Sequence, residues 1–462
     1  MSEKIMKNSR LLIIALLGTV IIAALTIWGC GTKGYDNPLN SATTTKTATA
    51  LIQAADLNGW IVEGKVNAPF GSYDRIVILD VSTNPSATST DDSTNAYNTA
   101  GHIPGAQLIS AGSAAFVDNA RAEGPMSITG AMVCTGAVMD TLIQKAGIDA
   151  NTTIVLTTNG TSALNLTRAY TTFRYWGFPK NRIKVLNGGN TAWTTSGYAL
   201  TSNVPSIQKS SYGVAQNGTT NVNTDMRVAL GEMIAYVKGI VAGNAGKVYI
   251  LDTVRDATQI SKTTDLLAPA TPPVYTPFDG AVKGSYRYPL ANVITGVTFK
   301  TADEIKAAIS AAVGGDNTTT IGDANRDASK TFITMCRAGN NASQAYFVLD
   351  GIAYYNSNVD IKWYDGSLGQ WNLLASSDHL ALNGSNAGGK LAVGSIWDTT
   401  GLMDNLTWNV DRGLAIVNYG ARIYGVEPSF AEGNQIETAD KAYRSTVTGT
   451  SGSSVSNSGG GC

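Results

Sequence analysis

Ile76-Val77-Ile78-Leu79-Asp80 is a β-rich run ending in an acid, and it returns later in the chain as Val248-Tyr249-Ile250-Leu251-Asp252. Outward from this pair, the same landmarks recur in the same order. Gly101-His102-Ile103-Pro104-Gly105-Ala106 follows the first run and Gly280-Ala281-Val282-Lys283-Gly284-Ser285 the second, each read as a Gly-rich turn. A helical stretch comes next. In the first copy it runs from Val138 to Ala146 and stops at Gly147; in the second it opens on the capping-box pattern Thr301-Ala302-Asp303-Glu304 and stops at Gly314-Gly315. A second short strand follows, Thr153 to Leu156 and Thr331 to Met335, then a loop and another helix. Each copy closes on a similar run, Lys184-Val185-Leu186-Asn187-Gly188-Gly189-Asn190-Thr191-Ala192-Trp193 and Lys362-Trp363-Tyr364-Asp365-Gly366-Ser367-Leu368-Gly369-Gln370-Trp371. The offset between copies stays between 172 and 179 residues at all these landmarks, a register that chance does not hold. The order strand, helix, strand, helix, strand predicts parallel βαβ units. The expected fold class is therefore α/β: two tandem domains, each a small parallel sheet with helices on both faces.

The chain has 462 residues, enough for two or three domains with their own cores. Charged residues make up only 15% and the formal net charge is −1, so no basic field exists to collect nucleic acid and no nucleic-acid partner is expected. At the N-terminus, Lys4, Lys7 and Arg10 precede an uncharged apolar run from Leu11 to Trp28, and Ile27-Trp28-Gly29-Cys30 has the spacing of a bacterial lipobox. Cleavage before Cys30 and acylation of that cysteine would make the chain an exported, membrane-anchored lipoprotein. An uncleaved transmembrane anchor is the alternative, and both readings place the rest of the chain outside the cytoplasm. Gly31 in place of an Asp retention signal points to the outer membrane. The expected organisation is a signal peptide over 1–29, a tether over 30–46, a first domain over 47–205 and a second over 225–376. An extension over 377–444 packs on the domains, and a Gly/Ser-rich tail over 445–462 is disordered.

Four cysteines are present: Cys30, Cys134, Cys336 and Cys462. With Cys30 acylated an odd number remains, which points to a free thiol. There are two histidines, His102 and His379, and no Cys-x-x-Cys pair, so neither a structural zinc site nor a covalently attached haem is expected, and no cofactor is assigned. The loop after Met335 reads Cys336-Arg337-Ala338-Gly339-Asn340-Asn341-Ala342 and leads into a helix. Ligands of open α/β sheets bind beyond the carboxyl ends of the strands. A cysteine there sits among free backbone N–H groups at a helix N-terminus, beside Arg337, with Gly339 letting the loop curl, so its thiol pKa is expected to fall. The implied chemistry is nucleophilic transfer through a covalent enzyme–sulfur intermediate. A buried structural cysteine is the bland alternative for Cys336, and a core or surface thiol is the reading of Cys134.

The Gly101–Ala106 turn, the Cys336 loop and the Asp365-Gly366-Ser367 run before Trp371 together resemble the rhodanese superfamily, over about residues 50–200 and 230–375. The resemblance implies a tandem sulfurtransferase whose second domain carries the cysteine and whose first is inert. Loop alignment places Thr157 over Cys336, Gly160 over Gly339 and Ala163 over Ala342, and a threonine hydroxyl cannot carry a persulfide. Cys336 is then the catalytic residue, with Arg337, Ala338, Gly339, Asn340, Asn341 and Ala342 binding the donor and Arg255 corresponding to a substrate-contacting Arg of the family. Ala338 stands where the thiosulfate-type loop has Lys, which speaks against thiosulfate as donor. His102, present only in the first copy, has a structural role in the family. The implied partners are a sulfane-sulfur donor and a thiol or cyanide-like acceptor. Within the superfamily, the lipobox and the tail ending in Cys462 are similar to tandem lipoproteins of selenite/tellurite-reduction and extracellular electron-transfer gene clusters, which implies envelope multihaem cytochromes as partners. The competing expectation is a non-catalytic scaffold lipoprotein that keeps the fold for docking.

Overall fold

The computed structural model of the chain describes residues 47–82, 96–109, 112–214, 222–243, 248–253, 278–313, 330–375, 391, 394–408, 420–422 and 433–449. The expected signal peptide and tether with Cys30, as well as Arg255 and Cys462, lie outside them. The first copy contains β1 (Leu51–Ile52), α1 (Ala54–Val62), β2 (Ile76–Asp80), β3 (Gln107–Leu108), α2 (Gly136–Lys145), β4 (Thr153–Thr157), α3 (Leu164–Tyr175), β5 (Ile183–Leu186) and α4 (Gly189–Thr195). The second contains α5 (Leu230–Val241), β6 (Val248–Asp252), β7 (Phe278–Val282), β8 (Ser285–Arg287), α6 (Ala302–Ala312), β9 (Thr331–Met335), α7 (Asn340–Phe347), β10 (Asp360–Trp363) and α8 (Ser367–Trp371). β11 (Met403–Trp408) and α9 (Gln435–Gly449) follow.

Each copy builds a parallel sheet, β1-β5-β4-β2-β3 in the first and β8-β6-β9-β10 in the second. β2, β3, β4 and β5 thus correspond to β6, β8, β9 and β10. The counterpart of β1 is a single parallel bridge between Arg227 and Trp363. The apolar runs that opened the sequence reading are strands covered on both faces, as parallel sheets require. In β2, Ile76 and Ile78 pack with Leu57, Trp60 and Trp193 on one face. Val77 and Leu79 pack on the other, in a core that runs without a break into the second copy through Phe173, Phe332, Phe347 and Trp363. The outer face of the second sheet, with Ile250 and Ile333, packs on Met233 and Trp371. The two sheets therefore share one inner core, and α3 and α7 lie against each other within it, Thr167 Oγ1 standing 3.4 Å from Ser343 Oγ.

Local signals explain most boundaries. Thr301 caps α6 through the reciprocal bonds of the capping box, its Oγ1 accepting from the Glu304 N–H. Two expectations are corrected. Gly280-Ala281-Val282 is strand rather than turn: β11 from beyond the second copy pairs antiparallel with β7, and the turn is confined to Lys283-Gly284. The tail expected to be disordered from Ser445 is helical as far as Gly449, because α9 is already anchored upstream and each added helical residue costs little once a turn is held. Several anchors of α9 are on the first copy. Arg121 makes two bonds to Asp440, at 2.6 and 2.9 Å; the Tyr175 hydroxyl donates to Asp440 at 2.7 Å, and the Tyr443 hydroxyl to Asp140 at 2.7 Å. Among the described residues no helix is long and apolar enough to cross a membrane.

Candidate active site

β9 is central in its sheet, so its C-terminal end opens under neighbours on both sides, and Cys336 is the first residue past it. The loop that follows is lashed to the start of α8. The carbonyls of Cys336 and Arg337 accept from the N–H groups of Leu368 (3.0 Å) and Gly369 (2.7 Å). Ser367 Oγ accepts from the Cys336 N–H at 3.1 Å and the Gly339 N–H at 3.2 Å, lies 2.8 Å from the Tyr364 carbonyl, and stands 3.8 Å from Cys336 Sγ. Gly339 has φ +76° at the N-cap of α7, and a Cβ there would lie 2.4 Å from the Asp365 carbonyl oxygen. Only glycine meets both demands. The Trp363 indole N–H donates to the Gly339 carbonyl at 3.0 Å and fixes the loop from the inner side.

Backbone hydrogen bonding from Ala342 and Ala338 pulls the Cys336 thiol pKa down. Cys336 is nevertheless only 2% exposed. The expected fall in its pKa is overturned: burial pushes the thiol up, and the opposing pull of Ala342, Ala338 and Ser367 does not offset it, while the buried Asp252 adds to the rise. Cys134 is also free and buried, and burial pushes its thiol up to about 12.

The other expected site residues fall in different places. Ala338 and Ala342 act on the Cys336 thiol through their backbone, and Asn340 Oδ1 faces the first copy, accepting from Arg168 Nη1 at 3.4 Å. Asn341 is turned onto its own helix, where its Oδ1 accepts from Gln344 at 2.9 Å. Arg337 is partly exposed and is tied in through its carbonyl. His102 is a packing residue, stacked on Tyr97 at 3.7 Å between ring centroids, with its ring nitrogens 3.0 and 3.1 Å from the Tyr97 and Asn203 carbonyls.

Four residues were not singled out from the sequence. Ser367 was quoted only as part of a motif. Asp365 joins two elements, accepting from the Val133 N–H at 3.0 Å and pairing with Arg227 at 2.9 Å. Arg227 is fully buried and also holds Glu123 at 2.8 Å and Glu437 at 3.5 Å, while Gln370 donates to Glu123 at 2.8 Å. Arg168, the fourth, reaches the Cys336 loop from α3 of the first copy. The single readable signal was the Asp365-Gly366-Ser367 run.

Sheet register also corrects the loop alignment. Asp80 pairs with Thr157 and Asp252 with Met335; the Asn190 N–H bonds the Thr158 carbonyl as the Leu368 N–H bonds that of Cys336. Thr158, not Thr157, therefore occupies the cysteine's place. From there the first loop reaches its N-cap at Ala163, two residues later than the second reaches Gly339. Gly160 and Ala163 consequently do not match Gly339 and Ala342. The residue at the nucleophile's place remains a threonine.

Residues 65–196 match the Rhodanese-like domain family. The fold is rhodanese-like. Sulfur carrier protein TtuD of Thermus thermophilus is 24% identical over 242 residues, which span 50% of this chain and 72% of that protein. Putative thiosulfate sulfurtransferase 1 of Mycobacterium bovis is 27% identical over 238 residues, spanning 51% of this chain and 74% of its own. Among solved structures, the Tum1 protein from Saccharomyces cerevisiae has a TM-score of 0.48 and 20% identity, covering 71% of this chain and 95% of that one. The matched family region lies in the copy with Thr158, while Cys336 lies in the other.

Proposed function

We propose that this chain is a rhodanese-like sulfurtransferase that moves a sulfane sulfur through a persulfide on Cys336. The observation that carries the reading is the Cys336 loop itself: a thiol at the end of the central strand, with Ser367 Oγ accepting from the Cys336 and Gly339 N–H groups and holding the loop closed. Ala342, Ala338 and Ser367 pull the thiol pKa down and so favour an anion on the sulfur, against the burial that raises it. In the first half-reaction the Cys336 thiolate attacks the outer sulfur of the donor. A Cys336–S bond forms, the donor's bond to that sulfur breaks, and the leaving group departs with the electron pair. In the second, an acceptor thiolate or cyanide takes the outer sulfur and returns Cys336 as thiolate. No net oxidant or reductant is needed. The relatives named as a sulfur carrier and as putative thiosulfate sulfurtransferases support the same chemistry. Ala338, which offers no second cation, favours a donor other than thiosulfate. The lipobox supports anchoring at Cys30 in the cell envelope, with envelope multihaem cytochromes as partners.

The burial of Cys336 favours a second reading, a scaffold lipoprotein of an outer-membrane electron-transfer or selenite/tellurite-reduction complex that keeps the fold for docking. One experiment separates the two. The full chain is offered polysulfide, thiosulfate and selenite in parallel, and Cys336 is followed by mass spectrometry alongside turnover to cyanide. Sulfur transfer requires a gain of one sulfur atom on Cys336 and no turnover in a folded Cys336→Ser variant. Unaltered Cys336 with every donor, together with an envelope complex that survives Cys336→Ser, supports the scaffold instead.

A further inference from the structure

Two arginines are completely buried at the junction of the copies, and their surroundings differ. Arg227 has three carboxylates, Glu123, Asp365 and Glu437, between 2.8 and 3.5 Å away. Arg168 has none within ion-pair distance among the described residues. Its Nη2 donates to the carbonyls of Met132 at 2.9 Å, Ala131 at 3.0 Å and Phe116 at 3.4 Å, and its Nη1 to Asn340 Oδ1 at 3.4 Å. Its guanidinium lies 4.6 Å from the centre of the Trp363 ring, and its Nε is buried with no acceptor among the described residues. A buried cation without a counter-anion is costly. Tethering the loop that ends at Met132 needs hydrogen-bond donors but no charge.

The pseudo-symmetry of the two copies gives a second, independent observation. Counted from the N-caps Ala163 and Gly339, Gln344 holds on α7 the place that Arg168 holds on α3. α7 is the helix that opens from the cysteine loop and packs against α3, so each helix offers this position to the other copy. The copy with a nucleophile receives a cation. The copy with Thr158 receives a neutral amide, and that amide is turned back onto Asn341.

We propose that Arg168, supplied by the copy without a nucleophile, is a positioning residue that acts as buried counter-charge for anionic sulfur on Cys336, working through Asn340 and the Trp363–Gly339 contact. The inference rests on the sulfur-transfer reading for its purpose, but not for its test. The fields of Asp365, Cys134 and Cys336 all reach Arg168, and Asp365 is already paired with Arg227 at 2.9 Å. Burial raises both thiols, to about 12 at Cys134; at Cys336 the pull of Ala342, Ala338 and Ser367 opposes it, so Cys336 is the sulfur placed to become the missing anion. Burial pushes the Arg168 guanidinium down to about 10, so it stays charged at neutral pH.

The test follows the rate of Cys336 alkylation by iodoacetamide against pH in the full chain, read by mass spectrometry at the Cys336 peptide. Arg168→Met fills the channel without charge, and Arg168→Lys restores charge. In folded Arg168→Met the thiolate inflection moves up by about one pH unit, the size expected for loss of a nearby opposite charge, and Arg168→Lys brings it at least halfway back. An inflection unmoved in folded Arg168→Met overturns the proposal. If Arg168→Met does not fold, the unmodified chain decides. Its thermal midpoint is compared with Cys336 carrying a carboxymethyl or a carboxamidomethyl group, and the anionic adduct must be the more stable. The reverse order overturns the proposal. Alkylation needs no sulfur donor, so failure of Cys336 to take sulfur refutes the transfer reading alone. Persulfide formation with an unmoved inflection refutes the role of Arg168 alone.

Discussion

The loops after β4 and β9 hold the same place in two copies of one fold, and what separates them is two residues of length and a small set of side chains. Thr158 replaces Cys336, Gly189 replaces Ser367, and Asn187 replaces Asp365. The backbone survives the exchange: Gly189 and Ser367 both sit at positive φ, +56° and +49°. The cross-copy contact survives too, since Asn187 accepts from the Phe299 N–H at 3.0 Å as Asp365 accepts from that of Val133. In the first copy the loop's work is structural. Asn190 bridges Thr157 at 2.7 Å and Asp80 at 3.0 Å, and no group that can carry sulfur is offered. The comparison teaches that the fold fixes where a nucleophile can stand. Whether one stands there is decided by three or four residues and by the helix facing them from the other copy.

The largest expected effect concerns the edge where the copies differ most. Leu51 pairs with Val185 in the first sheet; at the matching position of the second, Arg227 pairs with Trp363 and neutralises buried carboxylates. Arg227→Ala leaves Glu123 and Asp365 buried without their cation and is expected to cost about 3–5 kcal/mol in urea unfolding. Leu51→Ala, at a half-buried position, is expected to cost less. Equal losses at the two positions would dissolve this distinction between the copies.

A smaller effect is expected at Ser367. Ser367→Ala removes the acceptor that holds the N–H groups of Cys336 and Gly339 among the described residues, and about 2 kcal/mol of stability should be lost with it. Persulfide formation should slow as the loop loosens. Normal stability and normal sulfur uptake together would show that the clamp is incidental.

The third expectation concerns pH. Because burial raises the Cys336 thiol, thiolate forms only as pH rises, and alkylation of Cys336 should accelerate about tenfold per pH unit from pH 7 to 9 without a plateau. A group whose folded pKa is raised loses its contribution to stability as pH climbs through that value, so the chain should also weaken above pH 9 as Cys134 and Cys336 ionise. A plateau in alkylation by pH 8 would show that the loop N–H groups outweigh burial.

The fold was readable from repeat and period because parallel strands covered on both faces must be apolar throughout, as Ile76–Leu79 and Tyr249–Leu251 are. The position of Cys336 was readable because strand, loop and helix are contiguous in sequence. Its electrostatics were not. The loop motif shows the N–H groups that lower a thiol pKa, while the burial that raises it comes from packing between the copies. Arg168 lies 168 residues before Cys336 and in the other copy, so no local pattern links them. The misplacement of Thr157 over Cys336 has a comparable cause. The two loops differ in length by two residues, and matching glycines by sequence aligned Gly160 with Gly339 where strand register does not.

The account stands on one active loop serving two copies, and mass spectrometry of the intact chain after polysulfide treatment tests it most directly. The expected result is one added sulfur atom, mapped to Cys336, unchanged in amount in Thr158→Ser and absent in a folded Cys336→Ser variant. Sulfur found on Cys134 with Cys336 unmodified, or uptake that persists in Cys336→Ser, would contradict it.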